Sequence, residues 1–301
     1  MQEKGNSFRN TEMMSWMGFF SNMLDVSPEK IHLMNICTKK KNVIPLIEAH
    51  KRVMIFADER NKDLCEELWE AGLGDCKVWY GFGNAPGREV KETDIKSIVG
   101  MELTGPTVFF IVNEHTRESY RIGIKNENFS RGPIRYVGRE IRAVIMSMLD
   151  VDRQDTICIV DGESIVIEAA IAAREGTIIA VEPDKGAESS MRENAVKFGV
   201  HNVEIVGELK EGTLDHLPTP RLAFIVASKR LEEEIALLLQ KNDHMQFIIY
   251  TLELDVLASI KNIFDKFGIR NMDVIQISVS KTNKENMFVS QPAPWLISGE
   301  K

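Results

Sequence analysis

The sequence predicts an α/β protein of two domains, the second of them a doubly wound sheet. Three observations carry this. The chain has 301 residues, more than a single domain usually needs. Short apolar runs alternate with amphipathic segments along most of its length, the order that builds strands interleaved with helices. A polar stretch, Lys125–Pro133, breaks that alternation once and carries the Gly132-Pro133 pair. It marks the expected boundary between residues 1–130 and residues 131–301.

In the first half, Met13–Leu24 reads as a buried amphipathic helix, because Ser15, Gly18, Ser21 and Asn22 interrupt its apolar residues. Lys39-Lys40-Lys41 reads as a solvated loop before a helix over Val43–His50. Arg52–Ala57 (RVMIFA) is a short apolar run suited to a strand buried on both faces. Asp58 then caps an expected helix through Glu70 that carries Leu64, Leu68 and Trp69 on one side and ends at Gly72. Lys77–Tyr80 is a strand, 81–87 (GFGNAPG) a loop, Thr93–Met101 a short helix and Thr107–Val112 a strand. Helices between strands suggest a parallel layer. Trp16 and Trp69 are expected in the core.

The second half opens with a helix over Arg139–Leu149, with Ile141, Val144, Ile145 and Met148 at helical spacing. Strand Thr156–Val160, helix Ser164–Arg174, strand Thr177–Glu182, helix Ala187–Phe198 and strand Val203–Val206 follow. Strand Leu222–Val226, helix Glu232–Leu239, strand Gln246–Tyr250, helix Leu254–Phe267 and strand Asp273–Ser280 complete the pattern. A last strand-like piece near Met287–Val289 is placed for antiparallel pairing, and Trp295 sits in a proline-spaced tail. Five or six strands with interleaved helices describe a doubly wound sheet.

Composition narrows the function. Hydrophobic residues at 44% and charged residues at 27% exclude a disordered, collagenous or coiled-coil chain. The formal charge of −8, from 37 Lys+Arg against 45 Asp+Glu, argues against nucleic acid as a partner. No apolar stretch reaches the roughly 18–20 residues of a bilayer span, so no membrane role and a cytoplasmic protein are expected. Cys37, Cys65, Cys76 and Cys158 form no C-x-x-C pair, which points to buried small hydrophobes rather than a disulfide framework or metal site. The six histidines are scattered and read as structural or surface residues.

In an open α/β sheet the ligand sits beyond the carboxyl ends of the strands. The first strand of the second half runs into Asp161-Gly162-Glu163-Ser164, and the next ends in Glu182-Pro183-Asp184. An acid about 20 positions after the first turn is where a ribose hydroxyl pair would be held, which makes Glu182 a candidate nucleoside ligand. The other reading, left open by spacing alone, is an acid at a helix N-terminus with Asp184 complementing the dipole. No residue is singled out as catalytic.

The chain from Ile141 to its end resembles the CbiT-type methyltransferases of cobalamin biosynthesis, the C-terminal half of precorrin-6Y C5,15-methyltransferase (decarboxylating). The resemblance rests on REIRAVIMSML (139–149), SIVIEAAIAA (164–173), AVEPD (180–184), RENAVKFGVHNVEIV (192–206), LEEEI (231–235), TLE (251–253) and VIQISVSKTN (274–283). The first half resembles the C-terminal portion of the CbiE-type partner in MIFADERN (54–61), WEAGLGDCKVWYG (69–81) and TVFFIVNE (107–114). The resemblance implies a partial tetrapyrrole-methylase lobe followed by a Rossmann-like class I methyltransferase sheet. It further implies S-adenosylmethionine as cofactor, a tetrapyrrole substrate and a homo-oligomer, a tetramer in CbiT-type proteins. On that resemblance Asp161, Gly162, Ser164 and Glu182 are the vestigial cofactor-binding candidates. The CbiE-type N-terminal lobe, with its glycine-rich strand, has no counterpart in the residues given, so ring methylation by the first half alone is not expected.

Departures from the pattern weaken the cofactor site. The family's turn has the form D-x-G-x-G-x-G-S, whose glycines let backbone approach the cofactor. Here the sequence is Ile159-Val160-Asp161-Gly162-Glu163-Ser164: a shorter turn with one glycine, Ile159 in place of the strand-end acid, and an added carboxylate at Glu163. Like charges in a poorly solvated site cost a few kcal/mol, roughly a hundredfold in affinity. The glycine pair after the fourth strand is replaced by Val226-Ala227-Ser228-Lys229, the Gly-Asp after the third by Gly207-Glu208 or Glu208-Leu209, and the Thr-Lys of the first helix by Tyr136-Val137. Weak or lost cofactor binding is the expectation, with a catalytically inactive homologue acting as a binding or structural partner as the alternative to the methyltransferase.

Overall fold

The computed structural model describes residues 8–87, 89–116, 122–130 and 137–301. They divide into two units, the first ending before residue 121 and taking in 197–201, the second comprising the rest. The expected boundary at Gly132-Pro133 lies outside the described residues. Among those that are described, no helix is long and apolar enough to cross a membrane.

The first unit contains helix α1 (Asn10–Leu24), strand β1 (His32–Asn35), helix α2 (Val43–Ala49), strand β2 (Arg52–Ala57), helix α3 (Leu64–Leu68) and strands β3 (Lys77–Phe82), β4 (Lys91–Asp94) and β5 (Thr107–Val112). The sheet order is β1-β2-β5-β3-β4. Both faces are covered, and the inner strands β2 and β5 feed a core on each side by simple alternation. Val53, Ile55, Phe109 and Ile111 pack with Ile47, Leu64 and Leu68 on one face. Met54, Phe56, Val108 and Phe110 pack with Trp16 and Phe20 of α1 on the other. Gly81 makes the second contact feasible: a Cβ there would lie 2.5 Å from the Trp16 ring, whose Nε1 donates to the Gly83 carbonyl at 3.1 Å.

Four expectations for this half are corrected. The sheet is mixed, because only β1 and β2 are parallel and β5 lies antiparallel between β2 and β3. Parallel neighbours need a crossover, and the stretch from β3 to β5 holds only the edge strand β4 and a single turn. That turn, Ile95–Ile98, replaces the expected Thr93–Met101 helix: Asp94 accepts the Ser97 N–H at 2.9 Å, and Gly100 has φ +79°. The expected helix over Asp58–Glu70 is divided, with Asp58 capping a short turn at Glu59–Asn61 before α3 begins. The chain leaves helical geometry at Gly72 (φ +81°), and Trp69 is 51% exposed rather than core.

The second unit contains α4 (Arg139–Leu149), β6 (Thr156–Val160), α5 (Glu163–Ala172), β7 (Thr177–Val181), α6 (Lys185–Lys197), β8 (Val203–Val206) and β9 (Leu222–Val226). It continues with α7 (Leu231–Lys241), β10 (Gln246–Thr251), α8 (Leu254–Phe267), β11 (Arg270–Gln276), β12 (Ser280–Thr282), β13 (Phe288–Ser290) and β14 (Trp295–Glu300). The seven-stranded order is β11-β14-β10-β9-β6-β7-β8. The pairs from β8 through β10 are parallel, and β14 runs antiparallel between β10 and β11. After β8 the chain returns to the other side of β6, so the direction of winding switches between β6 and β9. The inner strands are apolar on both faces, as a helix-covered parallel sheet requires.

Strand β14 lay in what reads as a proline-spaced tail. The β12–β13 hairpin turns the chain round and delivers Trp295 as the half-buried first residue of a central strand. On α4 the buried face is Ile141, Arg142, Ile145, Met146 and Leu149, so Val144 and Met148 are only half-buried. Arg142 meets Glu168 of α5, and neither side chain is exposed. Glu168 also accepts the N–H groups of Gly123 and Ile124 at 2.9 Å, while Arg142 Nη1 donates to the Val137 carbonyl at 2.8 Å. A buried ion pair is tolerated when its remaining hydrogen-bonding groups are satisfied in this way.

Candidate functional site

The switch between β6 and β9 marks the carboxyl ends of β6, β7 and β9 as the usual ligand position in such sheets, the crevice region of this unit. Asp161 leaves β6 with φ +56°, a left-handed conformation that aspartate tolerates, and its N–H donates to the Val181 carbonyl at 3.1 Å. Gly162 follows, and its carbonyl accepts the Ile165 and Val166 N–H groups to start α5. A Cβ on Gly162 would lie 2.4 Å from Ile159 Cγ2 and 3.2 Å from the Phe224 ring. The glycine is therefore required by side chains packed beneath the turn.

The structure brings Asp161, Gly162 and Glu182 together and turns Ser164 away. The Ser164 hydroxyl donates to the Val137 carbonyl at 3.4 Å. Glu182 stands at the end of β7 and is 1% exposed, with Oε1 accepting the Asp184 N–H at 2.9 Å and Oε2 without a hydrogen-bond partner among the described residues. Asp184 is the residue that caps α6, its Oδ1 accepting the N–H groups of Gly186 and Ala187 at 2.8 and 2.9 Å. Of the two readings of this segment, the capping role thus falls to Asp184, while Glu182 is buried beside Asp161 and Glu163.

Buried Glu163 and Glu234 complete a group of four carboxylates with Asp161 and Glu182. Burial, with Asp161 and Glu163 adding to it and the Asp184 N–H opposing it, pushes the Glu182 carboxyl up to about 7. Glu234 is also pushed up to about 7, by burial first and by Asp161 and Glu233, against the nearby Arg230. Asp161 is raised by burial alone. At neutral pH the group can therefore hold protons, and its sign disfavours an anionic ligand.

Sequence reading passed over Glu234, one of three consecutive glutamates at the start of α7. The signal was helical phase, since residue 234 shares a face with Leu231, Ile235 and Leu238, all buried. It also missed what covers the crevice. Leu209 and Leu214, in the segment after β8, are buried in one apolar cluster with Val160 and Val181, the last residues of β6 and β7, and with Ile225, next to last in β9. Arg230 holds that segment: Nη2 donates to the Leu209 carbonyl at 2.7 Å and Nη1 pairs with Glu208 at 2.8 Å. Glu233 binds the same guanidinium through Nε at 3.0 Å.

A family model described as a precorrin methyltransferase domain matches residues 135–288. The chain is 30% identical over 192 residues to a probable cobalt-precorrin-6B C(15)-methyltransferase (decarboxylating) of Sulfurisphaera tokodaii, covering 60% of this chain and 97% of that protein. A protein of the same description from Methanocaldococcus jannaschii is 30% identical over 145 residues, 48% of this chain and 78% of that one. The solved structure of precorrin-6Y C5,15-methyltransferase from Geobacter metallireducens superposes with a TM-score of 0.55 at 27% identity, covering 59% of this chain and 96% of that one. With half of its length in the family model, a relative matched almost from end to end, and a seven-stranded methyltransferase-like sheet, the chain belongs to the precorrin methyltransferase family.

Proposed function

We propose that the chain keeps the frame of an S-adenosylmethionine-dependent precorrin C5,15-methyltransferase (decarboxylating), has lost tight cofactor binding, and acts as a non-catalytic binding or structural partner. Family membership implies the cofactor, and the residues of the crevice do not fit it. The observation that carries this reading is Glu182, retained where a ribose would be held and yet 1% exposed. Ile159 and Phe224 pack under the single glycine of the turn, and Leu209 and Leu214 occupy the apolar layer over the strand ends. Asp161 and Glu163 would repel the cofactor's own carboxylate. Titration calorimetry with S-adenosylhomocysteine tests the reading. Binding weaker than about 1 mM is expected, and a dissociation constant at or below about 10 μM would overturn it.

One observation favours a second reading, an active enzyme that methylates and decarboxylates a corrin precursor: an acid still stands at the end of β7 beside the switch point. Transfer of labelled methyl from S-adenosylmethionine to a precorrin in a single turnover would establish it.

The proposal extends to a tetrapyrrole partner, a cytoplasmic location and a homo-oligomer. The β12–β13 arm supports self-association. A two-stranded hairpin is marginally stable by itself, and this one exposes Met287, Phe288 (79%) and Val289. Sedimentation of the native chain and of Phe288→Lys checks it, with a smaller species expected for the variant.

A further inference from the structure

Beyond the carboxyl ends of β1 and β2 in the first unit lies a cavity of about 240 Å³, floored by Ile36 and Cys37. It is smaller than the roughly 300–1,000 Å³ of drug-sized ligand sites, which restricts it to a compact occupant. Four cations line it, Lys39, Lys40, Lys41 and Arg60, against two carboxylates, Asp63 and Glu67. In a chain of net charge −8 this is a local reversal of sign. A concave lining with an excess of one sign focuses the field on its mouth and raises the local concentration of counter-ions.

The cations are not equally committed. Lys40 pairs with Glu67, and Arg60 forks onto the fully buried Asp58, with Nε 3.1 Å from Oδ1. Lys39 and Lys41 have no ion pair among the described residues. The backbone N–H groups of Thr38, Lys39 and Lys40, in the same loop, have no acceptor among the described residues. Successive free N–H groups of a loop and two uncommitted ammonium groups are the elements of an oxyanion-binding concavity. Nucleophilic chemistry is not offered here, because burial and the neighbouring Asp58 push the Cys37 thiol up to about 12.

We propose that this cavity binds a compact, multiply charged anion, a small molecule bearing either phosphates or several carboxylates, with Lys39 and Lys41 as the principal charge partners. The site lies wholly in the first unit and does not depend on the fate of the methyltransferase crevice. Calorimetry of the full chain at low ionic strength, with pyrophosphate in one arm and citrate in the other, tests it. A dissociation constant below about 1 mM is expected for at least one. Tighter pyrophosphate binding identifies the ligand as a phosphate, tighter citrate binding as a polycarboxylate, and equal binding supports the shared chemistry.

The Lys39→Ala/Lys41→Ala double variant should retain the native melting temperature and bind at least tenfold more weakly. A control variant, Lys261→Ala/Lys266→Ala on the second unit, should bind as the native chain does. Bound anion should also protect Lys39 and Lys41, but not Lys261, from acetylation as read by mass spectrometry. The proposal is overturned if neither anion binds below about 10 mM, if the double variant binds unchanged, or if the control loses as much affinity.

Discussion

Beyond β1 and β2 the chain sets three lysines and an arginine around an open cavity; beyond β6, β7 and β9 it sets four carboxylates under two leucines. Both places are the carboxyl ends of parallel strands, where an α/β sheet ordinarily offers a ligand site. The loop that follows the strand decides the outcome. After β1 three consecutive lysines cannot all turn inward, so the loop stays wet and the cavity stays open. After β8 the Leu209 and Leu214 side chains find apolar strand ends, and the segment folds down over them. Position in a fold thus marks where a site can be, while the adjoining side chains determine whether it is accessible.

The ion pairs of the two units sharpen the contrast most. Arg142→Ala removes one member of a pair with no exposure on either side and leaves Glu168 uncompensated, so a loss of about 3–5 kcal/mol is expected in chemical denaturation. Arg60→Ala removes a partner that is itself 48% exposed but leaves the buried Asp58 carboxylate without its ion pair, so a smaller loss of about 1–3 kcal/mol is expected. Equal losses would break the comparison.

Leu209→Ala addresses the closed crevice directly. A fully buried leucine truncated to alanine costs about 2–5 kcal/mol, and the space left lies over the ends of β6 and β7. If Leu209 is what seals the crevice, the variant should bind S-adenosylhomocysteine more tightly than the native chain, read by the same calorimetry. Gly162→Ala probes the layer beneath: its methyl would meet Ile159 and Phe224, and overpacking costs about 1–3 kcal/mol. In a double-mutant cycle, Ile159→Ala should cost less in the Gly162→Ala background than alone, because the clash is with that side chain.

The smallest expected effect is a pH dependence peculiar to the second site. Glu182 and Glu234 have carboxyls near 4.5 when unfolded and near 7 when folded. The native state therefore holds more protons between these values, so the stability they contribute is present below pH 4.5 and is lost as pH rises through 7. Melting temperature should fall from pH 5 to pH 8, and Glu182→Gln with Glu234→Gln should flatten the profile. The depressed carboxyls, such as Asp58 and Asp155, act in the opposite sense but at lower pH.

Legibility differed between the units in the same way as their sheets do. Helix α8 and strands β6, β8 and β9 have the bounds that the apolar pattern predicts, because each is a single element flanked by polar turns. The first sheet misleads, since its antiparallel insertion of β5 leaves no local trace. Trp69 carries a core residue's chemistry, yet regular α3 ends at Leu68 and Trp69 falls on the exposed side of the turn that follows. In the candidate site, Asp161, Gly162 and Glu182 were singled out from the strand–turn–strand spacing, whereas Glu234 was passed over although its helical phase marked it as buried. Leu209 was not, because a leucine in a loop after a strand looks the same whether it covers a crevice or borders one.

The sequence alone determined the family, the order of strands and helices in the second unit, and the carboxyl-end position of its acids, since these follow from local periodicity and motif spacing. Tertiary structure alone decided that β14 enters between β10 and β11, that Arg142 reaches Glu168 across two helices, and that Glu182 is hidden from solvent. The reason is physical: burial, ion pairing and antiparallel insertion depend on residues far apart in the chain, whose free energies of contact no local pattern records.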